Sequence, residues 1–290
     1  MKKIGFIGLG NMGSKMVTNL LNASYEVIGF DINGSFTDKL LPMGVQKASN
    51  LNDIPNNVDI IITMLPNGDI VDKVYESIIN DFKPGTLFAD CSTIDVNKAK
   101  DLHNKCEIRK LLSLDAPVSG GVGGAEDGTL TFMVGGKTDA YNIMLPLFEV
   151  MGKKSLLCGP SGSGQATKAC NNMLLATTMI GVGEAFNLGS NLGLDPEKLF
   201  EILSTSTGSC WSINNYCPIK GVGPKSPSDD DFQPGFSVDL MFKDLSIALK
   251  AIESTKTSAP FGINAQENFK KMVDDGKGSL DFSAITMFNR

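Results

Sequence analysis

The sequence predicts an α/β fold: an N-terminal doubly wound sheet joined by a long helix to an all-α C-terminal domain. Three observations carry that prediction. Short apolar, β-rich runs alternate with amphipathic stretches as far as Cys158, which is the pattern of a mainly parallel sheet with helices on both faces. The composition changes at Gly159-Pro-Ser-Gly162. From Gly164 to about Leu192 no convincing strand follows, and the residues are apolar nearly all round. The predicted domains are therefore 1–162 and 163–290, with an interdomain helix over about 164–192.

The first element sets the rest. Ile4, Phe6 and Ile7 form a short buried strand. Gly8, Gly10 and Gly13 follow at once as G-x-G-x-x-G, and Met16, Val17, Leu20 and Leu21 then recur at helical spacing. A second strand over 25–30 ends at Asp31, about 18 residues beyond Gly13 and close to the interval of a dinucleotide fingerprint. Each residue type has a reason. The first glycine permits the tight turn, the second lets the backbone approach a pyrophosphate, and the third lets the helix lie on the sheet. The helix start offers N–H groups and a partial positive charge to phosphate. Leu9, Asn11 and Met12 complete the loop. A carboxylate at Asp31 accepts the ribose hydroxyls of NAD and repels the 2′-phosphate of NADP. This makes the first domain Rossmann-type. FAD uses the same fingerprint, and a glycine-rich turn in another α/β protein has the same letters, so both readings stay open at this point.

The later elements follow in order. A short helix over 35–41 is ended by Pro42 and Gly44. A strong buried strand over 58–65 is stopped by Pro66. A helix over 69–79 carries Val71, Val74, Ile78 and Ile79. A strand over 85–91 leads through Ser92 and Thr93 to a helix from about Asp95. Strands over 111–116, 130–134 and 155–158 and a helix over 139–150 complete the domain. Ligands of such sheets bind beyond the carboxyl ends of the strands, where Met64-Leu-Pro66, Cys91-Ser-Thr93 and Ser119-Gly-Gly121 lie. The long helix would run about 40 Å. Glycines 181, 183 and 189 would let other helices pack closely against it. Further helices are expected over 196–203, 238–254 and 264–274. Residues 224–234, with Asp229-Asp-Asp231, read as an exposed, solvated loop.

The totals exclude several classes. The 290 residues suffice for two cores, and an apolar fraction of 42% with 20% charged residues is that of a soluble globular protein. A net charge of −6 argues against nucleic acid as the main partner. No apolar run is long enough to span a bilayer. The chain starts straight into a strand, so no signal segment is visible, although a processed precursor would look the same. The six cysteines include no C-x-x-C, and with one histidine no ordinary zinc set is available, so no metal is expected. They read as reduced thiols of an intracellular protein. His103 lies in a polar stretch, Asn97-Lys-Ala-Lys-Asp-Leu-His-Asn-Lys-Cys-Glu107, and reads as solvated, which argues against a histidine acid or base. Tyr216 and Lys220 have the Tyr-x-x-x-Lys spacing of short-chain reductases, but Pro218 lies between them and breaks the helix.

Two lysines stand out. Lys168 and Asn172 are four apart near the start of the long helix, hence on one face. Burial and the helix dipole both disfavour an ammonium there and favour the neutral amine that a general base requires. A lysine that reaches solvent from the helix start fits the letters equally well. Lys243-Asp244 interrupts the apolar stretch Val238-Asp-Leu-Met-Phe-Lys-Asp-Leu-Ser-Ile-Ala-Leu249, and a functional pair or an ordinary solvated stripe would look alike.

The motifs together resemble the β-hydroxyacid dehydrogenase family over essentially the whole chain. They are Gly8-Leu-Gly-Asn-Met-Gly13, Met64-Leu-Pro66, Ser92-Thr-Ile-Asp95, Asp115-Ala-Pro-Val-Ser-Gly-Gly121, Leu130-Thr-Phe-Met-Val-Gly-Gly136, Lys168-Ala-Cys-Asn-Asn172 and Lys243-Asp-Leu245. Gly208-Ser-Cys-Trp-Ser212 points to the 3-hydroxyisobutyrate branch, and so to valine breakdown. The resemblance implies NAD held by the glycine loop, Asp31, Leu65, Pro66 and Thr93. It implies a substrate carboxylate held by Ser119, Gly120 and Gly121 with Asn172, Lys168 as the catalytic lysine, and Lys243 as a second active-site lysine beside the nicotinamide. Trp211, Phe236 and Asp244 would line the substrate pocket. It also implies a homodimer or homotetramer built on the helical domain, in the mitochondrial matrix of a eukaryote or the cytoplasm of a bacterium.

Two departures from the family pattern are visible: Asn22-Ala-Ser-Tyr25 lacks the usual glycine, and Ala125-Glu-Asp-Gly128 is more acidic than usual. The nearest rival is an NADPH-linked reductase of tartronate or succinic semialdehyde, which Asp31 followed by Ile32-Asn33 disfavours. The 6-phosphogluconate branch is much longer. A non-catalytic dinucleotide-binding scaffold is disfavoured by the presence of Lys168.

Overall fold

A computed structural model of the chain describes residues 2–54 and 58–288. It divides into two compact units, residues 1–168 and 169–290.

In the first unit the strands are β1 (Lys3–Ile7), β2 (Glu26–Phe30), β3 (Gln46–Lys47), β4 (Ile60–Thr63), β5 (Leu87–Asp90), β6 (Leu112–Asp115), β7 (Val118–Ser119), β8 (Leu130–Gly136) and β9 (Gly152–Gly159). The helices between them are α1 (Gly13–Asn22), α2 (Gly34–Asp38), α3 (Gly68–Ile78), α4 (Val96–Ile108), α5 (Gly121–Glu126) and α6 (Thr138–Met151). One sheet holds all the strands in the order β3-β2-β1-β4-β5-β6-β8-β7, with β9 beside β8. The pairs from β3 through β6 are parallel, as is β8–β9, whereas β8 runs antiparallel to β6 and β7. Strand order reverses between β1 and β4, the position at which such sheets open a crevice for ligands.

The central strands are buried on both faces, and the alternation shows which helices cover them. Ile60, Ile62, Leu87 and Ala89 face a core shared with Met16, Val17 and Leu20 of α1 and Met144, Leu147 and Phe148 of α6. Ile61 and Phe88, one residue out of step, face Val71, Tyr75 and Ile78 of α3 and Leu102 and Cys106 of α4.

The second unit is helical, with α7 (Ser163–Asn191) running into it, followed by α8 (Pro196–Thr205), α9 (Trp211–Asn214), α10 (Val238–Thr255), α11 (Pro260–Asp274) and α12 (Ile285–Phe288). Its main core joins Ala176 and Met179 of α7, Met241 and Leu245 of α10, Phe269 and Met272 of α11, and Phe282 and Ile285. No helix of the described residues is long and apolar enough to cross a membrane.

Several expectations need correction. His103 is not solvated: its side chain is only 12% exposed, with Nε2 3.1 Å from Asp115 Oδ1 and Nδ1 2.7 Å from Ser113 Oγ. Spaced with buried Ala99 and Cys106 at helical intervals, it lies on the covered face of α4. The short helix expected over 35–41 ends at Asp38, and a separate 3-10 turn spans Leu41–Met43. Residues 224–234 are not a plain solvated loop. Pro227–Asp230 form a 3-10 turn, and the Asp229 carboxylate accepts the Ser226 and Gly221 N–H groups at 2.9 and 2.7 Å. Gly183 and Gly189 do receive close neighbours, Thr286 and Leu199, but Gly181 faces open space. At the turn where the usual glycine is missing, Ser24 takes a left-handed φ of 65°.

Candidate active site

The loop between β1 and α1 is fixed by contacts that leave no room for a side chain at Gly8 or Gly13. Gly8 has φ 96°, and a Cβ there would stand 2.3 Å from the Met64 carbonyl oxygen. A Cβ on Gly13 would stand 1.9 Å from the Gly8 carbonyl oxygen, so α1 starts hard against the turn. Gly10 has open space around it, leaving its backbone approachable. Leu9 is buried, Met12 half-buried and Asn11 exposed. No side chain caps the start of α1. Asp31, just past β2, accepts the Leu9 N–H at 2.7 Å on Oδ2 and the Asn33 N–H at 2.8 Å on Oδ1. These bonds aim the carboxylate and leave each oxygen a further lone pair, enough for two ribose hydroxyls. Backbone space at Gly10 and an aimed carboxylate at Asp31 together fit NAD.

The neighbouring strand ends add to this edge. Leu65, after β4, donates its N–H to Ser92 Oγ at 2.8 Å, which ties the Leu65-Pro66 segment to the Ser92-Thr93 segment after β5. Ser119, Gly120 and Gly121 form the step from β7 into α5, with φ 139° at Gly120 and 63° at Gly121.

Lys168 lies on α7 and is 8% exposed; Asn172, one turn later, is 2% exposed. The first turn of α7 is held by two residues to which sequence reasoning assigned no role: Asp115, which opens the Asp115-Ala-Pro-Val-Ser-Gly-Gly121 motif, and Gln165, which lies outside every motif. Asp115, at the end of β6, accepts the Gly162 N–H at 2.8 Å and the Gln165 N–H at 2.9 Å. The Gln165 side chain donates to the Ser92 carbonyl at 2.7 Å and accepts the Ile94 N–H at 3.0 Å. Asp90, at the end of β5, is buried, with Oδ1 accepting from Thr63 Oγ1 at 2.7 Å and from the Ser92 N–H at 3.1 Å. Burial outweighs those donors and pushes its carboxyl up to about 6.

In the second unit Asn172 donates to Asp244 Oδ2 at 2.5 Å and accepts from Asn171 at 2.9 Å. Lys243 pairs with Asp244 Oδ1 at 3.1 Å. Asp244 is 3% exposed: Oδ2 holds the Asn172 amide, while Oδ1 meets Lys243 as an ion pair without a hydrogen bond among the described residues. Trp211 and Phe236 belong to a different cluster. Trp211 is half exposed and stacks on Tyr216 at 5.0 Å, Tyr216 stacks on Phe282 at 5.5 Å, and Phe236 meets Phe282 edge-on. Asp281, fully buried, accepts from Tyr216 OH and the Gly235 and Phe236 N–H groups, each at 3.0 Å, and from Ser283. Burial, reinforced by Asp281, raises the Tyr216 phenol well above its ordinary range. A carboxylate closing a strand and a glutamine one turn before a buried lysine were signals that could have marked Asp115 and Gln165. Nothing local marks Asp281.

Comparison with known proteins bears on these sites. Residues 3–159 match the family profile described as the NAD binding domain of 6-phosphogluconate dehydrogenase. Residues 162–288 match the profile described as NAD-binding of NADP-dependent 3-hydroxyisobutyrate dehydrogenase. The mitochondrial 3-hydroxyisobutyrate dehydrogenase of Drosophila melanogaster is 43% identical, over 98% of this chain and 88% of its own. The NAD-dependent L-serine dehydrogenase of Pseudomonas aeruginosa is 42% identical, over 98% of this chain and 97% of its own. A solved structure of Mycobacterium tuberculosis 3-hydroxyisobutyrate dehydrogenase with L-serine superposes with a TM-score of 0.95 at 42% identity, covering 100% of this chain and 99% of that one.

Proposed function

The chain belongs to the 3-hydroxyisobutyrate dehydrogenase family, and from that footing we propose that it oxidises 3-hydroxyisobutyrate to methylmalonate semialdehyde with NAD, with Lys168 as the general base. One observation supports the role of Lys168 above all. It is buried, and it stands one turn beyond Gln165, whose amide is bonded to the segment that contains Thr93.

When bound, NAD accepts the hydride that leaves the hydroxymethyl carbon. The protein's part is binding, orientation and one proton. The glycine loop and Asp31 hold the dinucleotide, and Leu65, Pro66 and Thr93 shape the nicotinamide end. Ser119 and the Gly120 and Gly121 backbone, with Asn172, hold the substrate carboxylate, which fixes the carbon to be oxidised. The Lys168 amine takes the hydroxyl proton as the C–H pair departs, leaving a carbonyl on the substrate and an ammonium on the lysine. In reduction the ammonium returns that proton to the forming alkoxide. Lys243, paired with Asp244, is the second active-site lysine beside the nicotinamide. Trp211 and Phe236 bound the substrate. Residues 1–162 serve as the NAD-binding domain and 163–290 as the substrate and oligomerisation domain, in a homodimer or homotetramer. A mitochondrial matrix location in a eukaryote, or the cytoplasm in a bacterium, completes the reading.

L-serine is a second substrate reading, favoured by the serine dehydrogenase relative and by the serine in the mycobacterial structure. It carries the same hydroxymethyl and carboxylate, with an ammonium in place of the methyl group. Turnover of both acids with NAD and with NADP separates the readings. Lys168→Ala is expected to lower kcat by about a hundredfold to ten-thousandfold while NAD affinity stays within about twofold. Parent-like turnover by that variant removes lysine from the mechanism.

A further inference from the structure

We propose that Gln165 and Asp115 are positioning residues for Lys168, setting its height and rotation against the strand ends. The proposal rests on the reading of Lys168 as the base.

Helix α7 begins at Ser163, and the first N–H groups of a helix need acceptors from outside it. Here the Ser163 N–H turns back to the Pro160 carbonyl at 3.0 Å, and the next acceptor comes from far along the chain. Asp115, some fifty residues earlier in the chain, takes the Gly162 N–H on Oδ1 at 2.8 Å and the Gln165 N–H on Oδ2 at 2.9 Å. One carboxylate thus caps the helix and fastens it to the end of β6. His103 Nε2, 3.1 Å from Oδ1, holds the same carboxylate from the side of α4. The fit is built around it. A Cβ on Gly135 would stand 2.4 Å from Asp115 Oδ1, and one on Gly164 would stand 2.4 Å from the Met133 carbonyl and 2.6 Å from that of Asp115.

Gln165 adds a second, independent tie to the next strand. Its amide spans Ser92 and Ile94 after β5, donating at 2.7 Å and accepting at 3.0 Å, and the side chain is 1% exposed. A single anchor lets a helix swivel; anchors on two adjacent strand ends fix both rotation and translation. Lys168 follows Gln165 by three residues on nearly the same face, about 4.5 Å along the axis. A shift at the anchor is therefore passed to the Lys168 amine almost undiminished. Thr93, the residue between the two backbone partners of Gln165, sits in the segment assigned to the nicotinamide end, so the ties register the base directly against the cofactor site.

The test is a double-mutant cycle on the full chain, measured by single turnover so that slow variants still report. Gln165→Leu removes both amide bonds at similar length, and Asp115→Asn weakens the cap at constant shape. In the Lys168 enzyme each is expected to slow hydride transfer by about tenfold or more, since an ångström of misplacement costs up to about a hundredfold. In the Lys168→Ala background the same changes should alter the residual rate by less than about twofold. NAD affinity by titration should move little, while amide hydrogen exchange over 162–168 should quicken. Equal losses in both backgrounds, or no loss in either, overturn the proposal while leaving the base intact. Full turnover by Lys168→Ala alone overturns the base reading and the proposal with it. Should Gln165→Leu fail to fold, Gln165→Glu serves: it keeps the bond from Ile94 and sets oxygen against the Ser92 carbonyl.

Discussion

The dinucleotide edge of the first unit and the candidate residues of the second are held by opposite means. In residues 1–168 the dinucleotide edge is mostly backbone: a left-handed Gly8, a Gly13 with no room for a methyl, and an open Gly10. Its one carboxylate, Asp31, is itself aimed by two backbone N–H groups. In residues 169–290 the candidates are side chains aimed by buried carboxylates, Asp244 for Asn172 and Lys243, and Asp281 for the Tyr216 and Phe236 cluster. A site made of backbone is damaged by adding an atom. A site held by a carboxylate is damaged by taking one away, because the donors it satisfied stay buried and unpaired.

Gly13→Ala should break the first arrangement most severely. The added methyl meets a carbonyl oxygen that cannot swing aside, so loop and helix must separate. NAD affinity is expected to fall by about a thousandfold or more, over about 4 kcal/mol. Gly10→Ala is the control. Its methyl enters open space, so the unfolding midpoint should hold while NAD affinity falls by less than in Gly13→Ala. Equal destabilisation of the two would show that the glycines serve the fold rather than cofactor approach.

Asp281→Ala tests the second arrangement. It strips acceptors from Tyr216 OH, the Gly235, Phe236 and Ser283 N–H groups and the Ser283 hydroxyl. The expected cost is about 3 to 4 kcal/mol in urea unfolding, with Asp281→Asn recovering part of it. The single tryptophan, Trp211, stacks on Tyr216, so its fluorescence should change as the cluster loosens. NAD affinity should stay within about twofold, since the glycine loop belongs to the other unit. A loss of NAD binding as large as the loss of stability would erase the distinction between the units.

The backbone-built region is also the more legible one. Gly8, Gly10, Gly13 and Asp31 are close in sequence, and each residue type follows from local geometry, so fingerprint and fold class could be read together. Helical spacing was enough to place Lys168 and Asn172 one turn apart. What could not be read depends on partners far along the chain. Asp115 meets Gln165 across 50 residues and Tyr216 meets Asp281 across 65, and no periodicity links such pairs. Helix α5 escaped notice because Gly121-Val-Gly-Gly-Ala-Glu126 is poor in helix formers. His103 was hidden for another reason. The polarity of its neighbours describes the outer face of α4, while the ring belongs to the inner one.

Asp90 sharpens the comparison from within the first unit, with the smallest effect. It is a buried carboxyl like Asp281, but only Oδ1 is satisfied; Oδ2 has no hydrogen-bond partner among the described residues. Burial, set against the Ser92 and Thr63 donors, raises its folded value from 3.8 to about 6. The folded state thus binds a proton that the unfolded chain has released between those two values. Stability from this group is full below pH 3.8 and declines as pH rises through about 6, by about 2 to 3 kcal/mol. Asp90→Asn, which cannot ionise, should lack that decline. Urea unfolding of parent and variant from pH 4.5 to 7.5 cancels the titration of the other carboxylates and leaves this one. The parent should lose stability relative to Asp90→Asn across that range. A difference that stays flat, or that runs the other way, would mean that the Ser92 and Thr63 donors offset or outweigh the burial of Asp90.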